Sequence, residues 1–501
     1  MQAPAERYAR WKAPAEDGQT LLWPQPADLL RETRDNHRRL ATADSVLLQN
    51  TPLPEVRRAM RQWLGHDDGQ LLVATGHQTE LHHPGVWVKN ALIDTVAAKL
   101  DGRAFHFAVD TDEPKHLLLR WPGGSIPLSD DPAASCAEWS GLLPPPAPAH
   151  LAEAQRAFEE VAAGWNFKPL VPQFLHALRA QSLSSATLPA AITDTLHQLD
   201  WELGLRYDAM IVSPLCLAEP YLLFVHHLLA RAGDFAADYN ASLERFRREN
   251  KIRTPGRPMP NLKSSADACE VPFWLDSLTD GSRSRATVIR SGAKWAIRSV
   301  AGDEFIFDPA TDGWEAAGAV ALWLRRSGLR LSPRALTLTS VLRLLVSDQF
   351  VHGIGGGQYD QVLDLLIAAH FGIDPPRFSV TTATLFFPDA VAQPRVCLPC
   401  LVHEGHRLKH GILGGEKLRM VEQIASLPRH SSVRSEMFYA MHDKLSSAWT
   451  TPPVKDWEQH LRRAEERAVE ERVLFDRELF YAIQSRERLA SLIDRCRQSF
   501  A

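Results

Sequence analysis

The stretch "ATGHQTELHHPGVWVKN", Ala74 to Asn90, holds three histidines, two glycines, a proline and a lysine. An apolar run, Leu71-Leu72-Val73, precedes it, and a helix-like run, Ala91 to Leu100, follows. Leu71 to Ala74 reads as a short buried strand. Pro84 to Leu100 reads as a helix, with Val86, Val88, Ala91, Leu92, Val96 and Leu100 as its apolar positions. "RAFHFAVDTDEP" gives a second strand, Phe105 to Val109, that ends in Asp110, Asp112 and Glu113. Strand, helix and strand in succession make a βαβ unit, which implies a parallel sheet and a right-handed crossover.

Working outward, the first 70 residues read as an N-terminal helical extension packed on the core. A catalytic core then runs from 71 to 395, with a helical insertion at about 130–205 and a small antiparallel β patch at about 270–310. "YDAMIVSPL", Tyr207 to Leu215, returns to a strand, and Glu219 to Ala230 to a helix. "LTLTSVLRLLV" leads into a second corner, "SDQFVHGIGGGQYDQV", Ser347 to Val362. A helix from Gln361 to His370 and the β-branched strand "RFSVTTATLFF" follow. The remainder, 396–501, reads as helical. Its stripe Trp457, Leu461, Ala464, Ala468, Phe475 and Leu479 is coiled-coil-like, seated either on another helix of the chain or across a homodimer.

Ligands of α/β sheets bind beyond the C-terminal strand ends, where free N–H groups and the helix dipole favour anions. The first corner offers His77, His82 and His83 as catalytic candidates, together with Asp110 at the next strand end. Imidazoles carry a proton near neutral pH or hydrogen-bond a polyphosphate or a developing oxyanion. Thr75, Gly76, Gln78, Gly85 and Lys89, with Gly353, Gly355, Gly356 and Gly357 of the second corner, are the cofactor-binding candidates. Asp112, Glu113, Asp348, His352 and Tyr359 are the substrate-binding candidates. The second corner lacks the ending of a P-loop and the spacing of a dinucleotide fingerprint. Cys397, Cys400, His403 and His406 have a CxxC start suited to zinc, but their histidine spacing matches no standard finger; two unrelated cysteines beside solvated histidines is the plainer reading.

With 501 residues, 45% apolar and 23% charged, the chain has the composition of a folded globular protein. A net charge of −4 argues against nucleic-acid binding by bulk basicity. No secretory leader and no membrane-spanning run is visible, and six cysteines are too sparse for a disulfide scaffold. A cytoplasmic protein with reduced thiols and small-molecule substrates is expected.

Three stretches together resemble the bacillithiol-synthesis cysteine ligase family, the cysteine-adding enzymes. They are Thr75-Gly76-His77-Gln78 with His82-His83-Pro84-Gly85 and Lys89, then Asp110-Thr111-Asp112-Glu113, then Leu342 to Asp348 leading to Gly355-Gly356-Gly357-Gln358. "HFGI" at His370 and "TATL" at Thr382 follow in order. The chain departs from the family pattern where His77 stands for a glutamine, where His82-His83 stand for a glycine pair, and where Val380 and Thr381 occupy the place of a basic residue. The resemblance implies a Rossmann-like core of the class I aminoacyl-tRNA synthetase kind, with helical insertions and a C-terminal coiled-coil arm. It also implies ATP with Mg²⁺ and amide formation between the cysteine carboxyl and an amino-sugar amine. A nucleotidyl- or sugar-nucleotide-transferring enzyme and a non-catalytic dimeric scaffold are the alternatives.

Overall fold

A computed structural model describes residues 10–501 apart from 68, 255, 292, 293, 389 and 391–395. Six strands form the main sheet: β1 (Thr20–Trp23), β2 (Leu72–Gln78), β3 (Arg103–Val109), β4 (Asp208–Ile211), β5 (Gln349–His352) and β6 (Phe378–Ala383). Their spatial order is β1-β6-β5-β2-β3-β4. The neighbours from β6 to β4 are all parallel, and β1 runs antiparallel to β6 along the edge. The chain starts the parallel set at β2, steps outward through β3 and β4, then returns to the other side of β2 for β5 and β6. The strand order therefore reverses between β2 and β5, where the following loops part and leave a crevice.

The expected βαβ unit is present. The helix that joins β2 to β3 spans Pro84–Leu100, with Pro84 preset for the first helical turn. This helix is buried almost all round rather than on one stripe, because the last helix, Arg486–Gln498, also packs against it. The insertion contains helices Pro148–Ala162, Val171–Gln181 and Leu188–Glu202, and Glu219–Ala230 is the expected helix. The β patch is larger than expected. Leu329–Pro333 adds a fifth strand beside Ala268–Ser277, and all pairings in that sheet are antiparallel. Residues of the two sheets and of the helix Ile354–Leu366 share one core, which holds Ala74, Phe105, Phe107 and Phe350 with Val271, Phe273, Leu363 and Leu366.

Two expectations about the elements are corrected. Thr20–Trp23 is an edge strand, not helix. The helix expected from Gln361 begins at Ile354, so the glycine run is its first turn. A Cβ on Gly357 would stand 2.4 Å from Val380 and 3.1 Å from Trp11, so only glycine lets this turn lie on β6.

The chain divides into two compact units. One holds the chain up to Arg120, Gly124–Leu385 and Arg477–Ala501; the other holds Trp121–Gly123 and Phe386–Asp476. The last residues thus return to the sheet unit, where Arg488 pairs with Asp17 at 2.7 Å and Arg497 with Asp94 at 3.1 Å. Residue 395, the expected end of the core, lies outside the described residues. The second unit contains helices Leu398–Gly411, Gly414–Ser426, Ser432–Ala448 and Pro452–Leu474. Trp457, the head of the expected stripe, lies against Gly405 and donates its Nε1–H to the Leu401 carbonyl at 2.8 Å. The helix ends at Leu474, so Phe475 and Leu479 do not extend that stripe. Among the described residues, no helix is long and apolar enough to cross a membrane.

Candidate functional site at the strand-order reversal

Strand β2 and helix Pro84–Leu100 place the first corner. Thr75 is spent on architecture: its hydroxyl donates to the Val351 carbonyl at 2.7 Å and ties β2 to β5. Gly76 is required by space, since a Cβ there would lie 3.0 Å from the Phe107 carbonyl oxygen. The Gly76 carbonyl accepts a hydrogen bond from Lys89 Nζ at 2.8 Å. Gln78 donates to Asp112 at 2.9 Å, and its carbonyl accepts from His82 Nε2 at 3.2 Å. His77 Nδ1 lies 3.1 Å from Glu80 Oε1. His83 caps the helix, its Nδ1 accepting the Gly85 N–H at 3.1 Å. Gly85 is packed so closely that a Cβ would fall 2.5 Å from Arg477 and 2.6 Å from Thr382.

The electrostatics of this corner differ from expectation. Burial, reinforced by the Lys89 charge, lowers the His77 imidazole well below its ordinary value and brings His82 down to about 3. His106, behind them on β3, is lowered in the same way by burial and by His82. These rings are neutral near pH 7, so they serve as neutral hydrogen-bond groups rather than as cations. Burial lowers Lys89 to about 7 against the attraction of Glu80, and raises Glu80 to about 7 against Lys89. Glu80 Oε2 is buried and unpartnered among the described residues.

Beside His82 and His106 lies a small pocket whose lining includes Asn90, Asp200, Tyr207 and Tyr481. Asp200 gathers the hydrogen bonds there. This carboxylate accepts from Trp87 Nε1 (2.8 Å), Asn90 Nδ2 (2.9 Å) and the hydroxyls of Tyr207 (2.6 Å) and Tyr481 (2.9 Å). Asn90 in turn reaches His106 Nδ1 at 2.8 Å. Four donors on one fully buried carboxylate fix the helix, the insertion, the entry to β4 and the C-terminal segment relative to one another.

The second corner is more open. His352, on β5, pairs through Nε2 with Asp360 at 2.9 Å. Asp360 is held by Arg343 at 2.5 Å, and this pairing keeps its carboxyl below the ordinary range despite burial. With Nε2 donating to the carboxylate, the Nδ1 lone pair remains available on the side of Gly356, where a Cβ would approach it to 2.8 Å. The helix Ile354–Leu366 has Gly353 at its N-cap and no side-chain cap. Among the described residues the N–H groups of Ile354, Gly355 and Gly356 have no side-chain cap, and Gly355 and Gly356 are exposed. Beside this turn runs a cleft lined by Arg10, Lys12, Arg253 and Arg257, with Trp11 and Tyr359 as its aromatic walls.

Several expected site residues have other duties. Asp348 stands at the opposite end of β5 from His352. It is fully buried between Arg57 (2.6 Å), Arg61 (3.2 Å) and His37 (3.0 Å), and it accepts the Leu72 N–H at 2.7 Å. It clamps the beginnings of β2 and β5 and faces no crevice. Asp110 accepts the Ser213 N–H at 2.8 Å, and burial raises its carboxyl. With Asp112 held by Gln78 and Glu113 exposed, this strand end gathers no carboxylate cluster for Mg²⁺. Among the described residues no group of three or more histidine, cysteine or acidic side chains can hold a metal. Cys397 and Cys400 are joined in a disulfide, which removes them as zinc ligands in this state and corrects the expectation of reduced thiols for this pair, while Cys136, Cys216, Cys269 and Cys496 are free.

Sequence reasoning did not find Glu80, Asn90, His106, Asp200 or Arg477. Glu80 and Asn90 lie inside the opening stretch and His106 inside the second strand, whereas Asp200 and Arg477 come from segments with no local signal. No family model matches this chain, and no curated protein matches it significantly.

Proposed function

We propose that this protein is a nucleotide-dependent carbon–nitrogen ligase of the cysteine-adding type, built on a Rossmann-like core. The parallel strands follow the doubly wound order, reversing at β2 and β5, which supports that core. The observation that carries the functional reading is the uncapped, glycine-rich helix start at Ile354, Gly355 and Gly356, placed at that reversal. The first-turn N–H groups, uncapped among the described residues, and the positive helix end suit a phosphate, and Arg10, Lys12, Arg253 and Arg257 extend the positive field along the cleft. ATP fits this arrangement as a substrate. A protein-held Mg²⁺ does not, for want of a carboxylate cluster, and no step is assigned to one.

Joining a carboxylate to an amine begins with transfer of phosphate or nucleotidyl to the carboxylate. The amine nitrogen then attacks the carbonyl carbon, the C–N bond forms, and phosphate or nucleotide leaves with the C–O electron pair. The attacking amine must lose a proton. His352, oriented by Asp360 and Arg343, presents Nδ1 to it. The neutral His77 and His82, with the buried Lys89 and Glu80, stand at the corner after β2 and suit hydrogen bonding to the amino acid.

The test is incubation of the purified chain with ATP, Mg²⁺ and each amino acid, with and without glucosaminyl malate, followed by mass spectrometry. A product heavier than the amine by one cysteine residue supports the ligase. A mass shift that needs a sugar nucleotide but no amino acid replaces it with a transferase.

A further inference from the structure

We propose that Cys397 and Cys400 form a thiol–disulfide exchange site for small-molecule thiols and disulfides, with Cys397 as the reactive thiolate. The pair is exposed and bonded at the start of the fourteen-residue helix Leu398–Gly411. Cys397 is the N-cap, and its sulfur accepts the Cys400 N–H at 3.2 Å. Pro399 has no N–H to compete. A thiolate at Cys397 therefore gains a hydrogen bond and the positive helix end together, the setting that depresses a cysteine pKa in CxxC pairs. Cys400, one turn inside, has no such cap.

The turn is held whether or not the sulfurs are joined. Val396, just before the pair, donates its N–H to the Glu471 carboxylate at 3.0 Å. Just after it, the Leu401 carbonyl accepts from Trp457, which lies flat against Gly405. The cysteine Cα atoms stand 5.2 Å apart, within the range that a disulfide spans. Reduction thus leaves two thiols already positioned to close again. A disulfide that only stapled a long loop would behave otherwise; this one spans three residues and constrains little of the unfolded chain.

In the reductive direction a small thiolate attacks Cys397 Sγ. A new S–S bond forms, the protein S–S bond breaks, and its electron pair goes to Cys400, which takes up a proton. A second thiolate attacks the external sulfur of the mixed disulfide and releases Cys397, the better leaving sulfur. The protons of the two thiols end on Cys397 and Cys400, so disulfide plus two RSH gives dithiol plus RSSR. The reverse direction uses a small disulfide as oxidant, with Cys397 as the first attacker.

The test uses the full chain in buffers of varied glutathione to glutathione-disulfide ratio, with thiols counted by alkylation and intact mass. Cys136 is exposed and is not at the start of an α-helix, so it is the internal control. Two thiols should appear and vanish together with the ratio. In the reduced chain Cys397 should react with glutathione disulfide about tenfold faster than Cys136 at neutral pH. Cys400→Ser should accumulate a glutathione adduct at Cys397. A pair that resists native reduction, or a Cys397 no faster than Cys136, would overturn the proposal; both readouts use the unmutated chain.

Discussion

Replacing Asp348 by asparagine should unfold the protein more easily while revealing that this residue does no chemistry. The carboxylate is wholly buried and faces Arg57, Arg61 and His37, and the Leu72 N–H, across 2.6 to 3.2 Å. Asparagine keeps the shape but removes the charge, which leaves two guanidinium groups buried without their counter-ion. Breaking such a pair from one side costs about 3–5 kcal/mol, a large share of the roughly 5–15 kcal/mol that holds a folded domain. The same carboxyl gives an independent figure. Its pKa falls from 3.8 to about 2, burial being outweighed by Arg57, His37 and Arg61. At about 1.4 kcal/mol per unit this is some 2 kcal/mol. Because the folded value is depressed, that stability is present above about pH 4 and is lost as pH falls through 2. The assay is guanidinium unfolding followed by circular dichroism at pH 7, with turnover measured on the folded fraction. A midpoint loss equivalent to less than 1 kcal/mol, with turnover abolished, would refute the structural assignment and return Asp348 to the substrate site.

Other outcomes follow from the same geometry. His352→Ala should lower turnover by about 10²–10⁴-fold, the usual worth of a general base, with the circular dichroism spectrum unchanged; equal turnover removes His352 from the chemistry. Gly357→Ala should lower the melting temperature because its methyl would stand 2.4 Å from Val380, whereas Gly355→Ala, with nothing within 4 Å, should not lower it. His82 remains neutral in the fold down to about pH 3 while the unfolded chain takes up a proton below about 6.5. Stability should therefore fall with pH between those values, by up to about 1.4 kcal/mol per pH unit for this group. His82→Gln should flatten that slope, as measured by unfolding midpoints across the range.

The sequence disclosed elements whose pattern is local. Pro84–Leu100 was legible because a proline fixes its start and an apolar run fills it, and β3 because Phe105, Phe107 and Val109 alternate toward the core. The strand at Thr20–Trp23 was not, since four residues beside helical patterns carry too little periodicity; pairing with β6 creates it. The start of the second glycine helix was misplaced because glycine lowers helix propensity, and the close approach to Val380 that demands it is a tertiary fact. Within the site, residue type marked the crevice but not the charge. His77 and His82 read as protonatable, and burial beside Lys89 makes them neutral. Asp348 read as a strand-end ligand, yet it stands at the wrong end of its strand, and its partners Arg57 and Arg61 lie nearly three hundred residues earlier.

The most direct measurement of the ligase account is the fate of the carboxyl oxygen. The chain is given cysteine labelled with heavy oxygen in its carboxyl group, ATP, Mg²⁺ and glucosaminyl malate. The account predicts one labelled oxygen in the released phosphate or nucleotide for each amide formed, and loss of both products in His352→Ala. Nucleotide turnover that is independent of the amino acid, or an amide formed with no label transferred, would contradict it.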